Sequence, residues 1–262
     1  LFINDEIQLN ERFMNGDFDL YTVNRASYWK TKFIASNYDQ IDRGLIQRKK
    51  IYNKAPNGVG GIALNSLEEP FNDKRVREAF CYLWDIDKLI DKLFYDEYVR
   101  KNSYFPGSDY ENPSNPKQTY NPEKAIKLLR DAGWIKKPGD KWITNELGQI
   151  FEITFRMEQS AERIYTPLQE DLEKIGIKLN FEIKLSAQSF ELIMKRKFTA
   201  APMGWTGSTF PNPEGMMHSK YQRQNETTNI TGMGIKKLDQ LIEKYNSEWD
   251  LKKRILRVFG RV

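Results

Sequence analysis

The sequence predicts an α/β fold, and three observations predict it. Apolar residues recur at helical spacing over 76–94 and again over 125–132. A hairpin pattern with strict alternation follows at 141–157, and a second alternating run stands at 177–185. A helical pattern separates the two runs and another follows the second, an order that belongs to a sheet covered by helices. With 262 residues there is room for one large domain or two smaller ones, each with ample core.

Residues 1–50 read as an amphipathic helix followed by "DFDLYTVN" (17–24), a short buried strand. In "FNDKRVREAFCYLWDIDKLIDKLF" (71–94), Val76, Ala79, Phe80, Leu83, Ile86, Ile90, Leu93 and Phe94 form one stripe, with Asp73 as N-cap. Residues 99–122 carry four prolines and no periodicity, a long loop of the kind that is often functional. Asn121 then caps a helix with Pro122 in its first turn; Ala125, Leu128, Leu129 and Ala132 face inward and Gly133 ends it. Phe151, Ile153 and Phe155 alternate with Glu152, Thr154 and Arg156 after a turn near Gly148. The helix 160–175 ends at Gly176 and is expected to bend at Pro167. Ile177, Leu179, Phe181, Ile183 and Leu185 then share one strand face, and a helix opens at Ser186. One or two charged amphipathic helices close the chain over 234–258.

Composition excludes several classes. Hydrophobic residues at 39% and charged residues at 29% describe a globular protein. No apolar run approaches the ~20 residues that span a bilayer. The net charge of +5 is spread over separate clusters at 47–50, 195–197 and 252–254, interleaved with acids, so no nucleic-acid groove is expected. The single cysteine, Cys81, excludes an internal disulfide and a cysteine zinc site, and its helical setting predicts a small buried apolar residue. The single histidine, His218, has no metal-ligand spacing around it, so neither a zinc centre nor a histidine triad is supported, and no metal or cofactor is expected. A two-carboxylate hydrolase acting on peptides or glycosides stays open as a rival class. The opening residues read as structured sequence already under way, as in a piece of a longer protein.

The stretch "MGWTGSTFPNPEGMM" (203–217) has no helical or strand period. It sets Trp205 between Gly204 and Gly207, which would let a ligand approach the backbone, while the indole offers a stacking face and a donor. Thr206, Ser208, Thr209 and Asn212 could supply neutral hydrogen bonds, although Asn212-Pro213 is also a turn signal. Tyr104 and Phe105 in the long loop could line the mouth of the same cleft or pin the loop. Asp73, Arg77 and Asp87 read as structural charges.

At this point the residues resemble a family. "GGIALNSLEEPFNDKRVREAFCYLWDIDKLIDKLFY" (60–95) is similar to the family 5 extracellular solute-binding proteins, the oligopeptide and dipeptide receptors of ABC transporters. Asn65, Pro70, Phe71, Asp73, Val76, Arg77, Ala79 and Asp87 occupy the matching places. "YNPEKAIKLLRDAGW", "LEKIGIKLNFEI", "FTAAPMGWTGSTFPNPE" and "NGDFDLYTVN" resemble further motifs of that family. The stretches at 104–108 and 208–214 look closest to a subgroup associated with oligopeptide and microcin C import. The resemblance implies a fragment of a two-lobe type II periplasmic binding protein: residues 1–56 as partial first lobe, 57–203 as the second α/β lobe, 204–262 as the return to the first. It implies a monomeric, non-enzymatic receptor at the periplasmic or extracellular face of the cell membrane. That receptor would hold an oligopeptide or modified peptide, or alternatively an oligosaccharide, for delivery to permease subunits. Many members carry an Asp three residues after the Trp and an Arg three residues before it; here these positions are Ser208 and Pro202. A dipeptide held by both charged termini at those positions is therefore not expected.

Overall fold

The computed structural model describes residues 6–258, which divide into two compact units. In chain order the helices are α1 Glu6–Met14, α2 Asp39–Asp42, α3 Lys74–Leu83, α4 Ile86–Phe94, α5 Pro122–Asp131, α6 Glu162–Ile175, α7 Ser186–Met194, α8 Glu214–Met217, α9 Lys236–Ser247 and α10 Leu251–Val258. The strands are β1 Val59–Leu64, β2 Glu152–Met157, β3 Lys178–Ile183 and β4 Ala200–Trp205. Among the described residues no helix is long and apolar enough to cross a membrane.

The larger unit, 55–86 with 101–262, holds a sheet of order β1-β4-β2-β3. β2 runs parallel to β3 and β4, and β1 pairs antiparallel to β4, with Val59 opposite Trp205 and Leu64 opposite Ala200. Side chains alternate between two apolar layers, as the two-residue period of a strand requires. Ile153, Phe155 and Ala200 pack with Val76, Phe80, Leu129, Leu168 and Leu172 on one face. Ala63 and Ala201 pack with Ile193, Phe198 and Ile230 on the other, where Met203 and Trp205 join them. β1 and β4, apolar on both faces, are covered on both, whereas Glu152 and Thr154 on the second face of β2 stay exposed.

Local chemistry sets the element ends. Asp73 accepts the Arg75 backbone N–H at 2.7 Å and Asn121 accepts that of Lys124 at 2.9 Å, the two predicted N-caps. Gly133 and Gly176 take positive φ where α5 and α6 end. Asn65, buried at the end of β1, donates to the carbonyls of Arg196 and Phe198 and accepts from Leu67 N–H, tying β1 to the turn before β4. Arg77 donates to the Phe71 and Asn72 carbonyls, the structural use expected of it.

Several expectations are corrected. The stripe over 76–94 is two helices, because Trp84 leaves the helical region with φ −105° and ψ 110°. The hairpin shrinks to isolated bridges from Thr144 to Ile135 and Ile150, since β2 spends its edges on β3 and β4. Ile183 and Leu185 are exposed, because β3 is the outer strand and its end outruns the covering helices. Cys81 is exposed, because α3 buries the face of Val76, Ala79, Phe80 and Leu83 instead.

The smaller unit joins 1–54 to 87–100. Its segment 17–24 forms no strand and is largely exposed, Leu20 at 81%, since no described strand is aligned to pair with it. Phe13, Phe18, Tyr21, Phe33 and Tyr38 pack ring to ring at 5.3–6.0 Å. A cavity of about 880 Å³ within this unit is lined by Tyr21, Trp29, Phe33, Arg48 and Glu97 among others. Lys50 and then Lys30 hold the Glu97 carboxyl below its ordinary range.

Candidate functional site

Because β2, β3 and β4 are parallel, their carboxyl ends lie at one edge of the sheet, and their following loops emerge there together. In open α/β sheets that edge is where loops from different strands converge on ligands. Trp205 is the last residue of β4, so the stretch read as an aperiodic loop begins as strand and ends in α8. Strand pairing holds the Trp205 backbone rigid, and its indole packs beside the second apolar layer.

Tyr104 meets Trp205 edge to face, with ring centroids 6.1 Å apart and planes at 70°. The indole Nε1 is buried with no hydrogen-bond acceptor. Tyr104 is 42% exposed overall, and burial of its phenol end, with Cys81 beside it, raises its pKa. Thr206, Ser208 and Thr209 are exposed beyond Trp205, and their hydroxyls make no hydrogen bond among the described residues. The loop is thus a neutral run of free donors and acceptors next to an aromatic pair.

Other candidates lie differently. Phe105 turns away from Trp205 and stacks edge-on with Tyr110, which meets Tyr245 in the same way, so it pins the loop toward α9. The Asn212 carboxamide oxygen accepts the Glu214 N–H at 2.9 Å, which starts α8. Gly204 is open, with only the Val59 carbonyl near its Cα hydrogens. At Gly207 the space a side chain would need is filled by the backbone of Pro56 and Asn57, so this glycine serves a crossing of the chain with itself.

Arg156 and Glu182 stand at the same edge, at matching positions on β2 and β3. The alternation puts Arg156 on the polar face of β2 with Glu152 and Thr154; those two are exposed, but Arg156 is only 7% exposed and pairs with Glu182.

The arrangement around His218 is structural. Its Nδ1 accepts the Lys220 N–H at 3.2 Å and lies 3.5 Å from Asp239. Ser219 donates its hydroxyl to Asp239 at 2.5 Å and not to the imidazole, so no serine–histidine pair is formed. Asp239 is held below its ordinary range against its own desolvation, chiefly by the Ser219 hydroxyl and N–H. Among the described residues no three His, Cys, Asp or Glu side chains converge as a metal site.

The model of the bacterial extracellular solute-binding proteins, family 5 Middle, matches residues 1–227. The protein YejA of Escherichia coli K12 is 24% identical over 97% of this chain and 47% of its own length. The oligopeptide-binding protein AppA of Bacillus subtilis is 32% identical over 60% of this chain and 30% of its own. The structure of AppA in complex with a nonapeptide superposes with a TM-score of 0.81 at 26% identity, covering 99% of this chain and 50% of that one. A periplasmic oligopeptide-binding protein of Thermotoga maritima, bound to mannohexaose, shares the fold with a TM-score of 0.75 at 17% identity, covering 100% of this chain and 50% of that one. The chain spans half or less of the length of these relatives.

Proposed function

The chain belongs to the family 5 bacterial extracellular solute-binding proteins, a family of receptors for solutes, and from that premise we propose that it is part of the substrate-binding component of an ABC importer. The ligand is an extended oligopeptide or modified peptide. Two lobes of the full receptor close around it by a hinge, and the closed form delivers it to a membrane permease. The two compact units, 55–86 with 101–258 and 6–54 with 87–100, would each belong to one of the receptor's lobes. The receptor works as a monomer at the periplasmic or extracellular face, and no bond is made or broken.

One observation carries the peptide reading: the fold covers 99% of this chain in a superposition on AppA holding a nonapeptide. The site supports it. Trp205 and Tyr104 form an aromatic wall, Gly204 leaves the backbone open, and Thr206, Ser208 and Thr209 offer neutral bonds suited to a peptide backbone. A second reading, an oligosaccharide, is favoured by the same aromatic pair, which suits a sugar face, and by the mannohexaose in the Thermotoga protein.

The test is to purify the full-length receptor, denature it and identify the released small molecules by mass spectrometry. Peptides are the expected result. Oligosaccharides would keep the mechanism and replace the substrate. A receptor that comes off empty and then shows no calorimetric binding of peptide mixtures would remove the peptide reading.

A further inference from the structure

The smaller unit, 6–54 with 87–100, has little core of its own. Among the described residues its buried apolar side chains are Met14, Ala26, Phe33 and Leu89. A domain of ~60 residues buries only about 60% of the surface its unfolded chain exposes, and is marginal even with a full core. The apolar side chains of this unit stand outside instead. Leu20, Ile51, Tyr52 and Val99 are 81–85% exposed, and all four line the cavity of about 880 Å³. The walls of that cavity are therefore themselves bare apolar surface.

Its size alone would suit a small ligand, but its surroundings do not. A small-molecule pocket buries most of its ligand within covered walls, whereas contiguous bare apolar surface marks contact with a larger body. The charges beside the cavity are largely engaged within the unit. Arg48 donates to the Trp29 carbonyl and lies over the Trp29 ring at 4.2 Å, and Lys50 is held with Lys30 by Glu97. Residues 47–52, along the same wall, make no backbone–backbone hydrogen bond among the described residues. Unpaired peptide groups of this kind are what an added strand takes up. A receptor of family length has the chain to supply one, since this chain spans 47% of YejA and 50% of the AppA structure.

We propose that this apolar wall and its cavity are the seat of another stretch of the same receptor polypeptide, lying outside residues 1–262. That stretch pairs as a strand with 47–52 and sets apolar side chains between Leu20, Ile51, Tyr52 and Val99. The smaller unit is thus completed from a distant part of the polypeptide, and the cavity is not a second solute site. The inference rests on the reading of this chain as part of a longer receptor, and it is independent of which solute that receptor carries.

The test uses the full-length receptor with its solute removed. Hydrogen exchange of the wild-type protein should show the amides of 47–52 as slow as those of β2. Single Leu20→Cys, Ile51→Cys and Val99→Cys variants should react with a maleimide about tenfold more slowly than Leu147→Cys, because a covered thiol reacts only through local opening. Leu147, 82% exposed in a turn of the larger unit, is the open reference. A benzophenone photo-crosslinker in place of Tyr52 should join to residues outside 1–262 of the same molecule. Fast exchange with equal labelling overturns the proposal, as do crosslinks confined to 1–262 or to a second receptor molecule. Protection that arises only when solute is added also overturns it, since the wall would then face the solute. The exchange measurement needs no variant, so it decides the matter if a substitution prevents folding. Each of these failures leaves the peptide reading to the small molecules released on denaturation, which are measured separately.

Discussion

A Cβ added at Gly207 would stand 2.3 Å from the carbonyl oxygen of Pro56. The relationship is nearly reciprocal, for a Cβ at Gly58 would stand 2.2 Å from the carbonyl oxygen of Trp205. Segments 56–58 and 205–207 therefore lie backbone against backbone where β1 begins and β4 ends. This close approach adds to the strand pairing that holds Trp205.

Gly207→Ala and Gly58→Ala must push these backbones apart, and overpacking of this kind costs about 1–3 kcal/mol. Gly204→Ala is the control, because its Cβ would meet only the Val59 carbonyl at 3.7 Å. Thermal melts should drop by several degrees for the first two variants and stay near wild type for the third. Three equal melts would mean that the crossing segments separate without cost.

Trp205→Ala in the full-length receptor should weaken ligand binding by about 1–3 kcal/mol, the loss typical of a buried aromatic anchor. Tyr104→Ala removes the ring that holds the indole edge-on and should cost less than Trp205→Ala. Calorimetric titration with the ligand recovered from the receptor measures both. Unchanged affinity in Trp205→Ala would take the indole out of the site.

Arg196 sits at φ +57°, and its guanidinium donates to the carbonyls of Tyr221, Gln224 and Ile230. It joins the turn before β4 to the loop that covers the second apolar layer. Arg196→Ala leaves these carbonyls without their charged donor, a loss of about 2–3 kcal/mol. Hydrogen exchange should quicken across 221–232 well before it changes in β2. Uniform protection in both segments would show that the loop holds by its apolar contacts, Ile230 foremost.

How much of this was legible in the sequence varies with the physics that decides it. Asp73, Asn121, Gly133 and Gly176 act through their own neighbours in the chain, and each is where local chemistry puts it. Strand faces were legible only where the partner layer could be foreseen. Phe155 followed its alternation, while Arg156 next to it is buried although Glu152 and Thr154 on the same face are exposed, and its pairing with Glu182 on β3 is a long-range contact. Trp205 and Tyr104 were both legible as candidates, but their meeting is a long-range contact that no local pattern encodes. Gly207 shows the opposite limit: its need for a bare Cα was readable, whereas the occupant of that space, Pro56, was not. Segment 17–24 carries apolar residues in a short run, yet a strand also needs a partner, and none is aligned beside it among the described residues.

Asp73 offers a pH-dependent test of the α3 cap. Its carboxylate accepts the Arg75 backbone N–H and is clasped by the Arg75 side chain at 2.6–3.1 Å. The Arg75 side-chain bond is the largest cause holding its pKa below 3.8, against some desolvation and with help from the Arg75 N–H. A carboxyl whose folded pKa is depressed adds stability above its unfolded pKa and loses it as pH falls through the folded value. Asp73→Ala should therefore cost about 1 kcal/mol near neutral pH, the usual value of an N-cap. The gap to wild type should narrow as pH falls below 3.8. Asp73→Asn keeps a capping oxygen but no charge, so this position should no longer contribute to the pH dependence. Urea midpoints for the three proteins between pH 7 and pH 3 measure this, and a gap that stays constant with pH would mean that ionisation of Asp73 adds nothing to the cap.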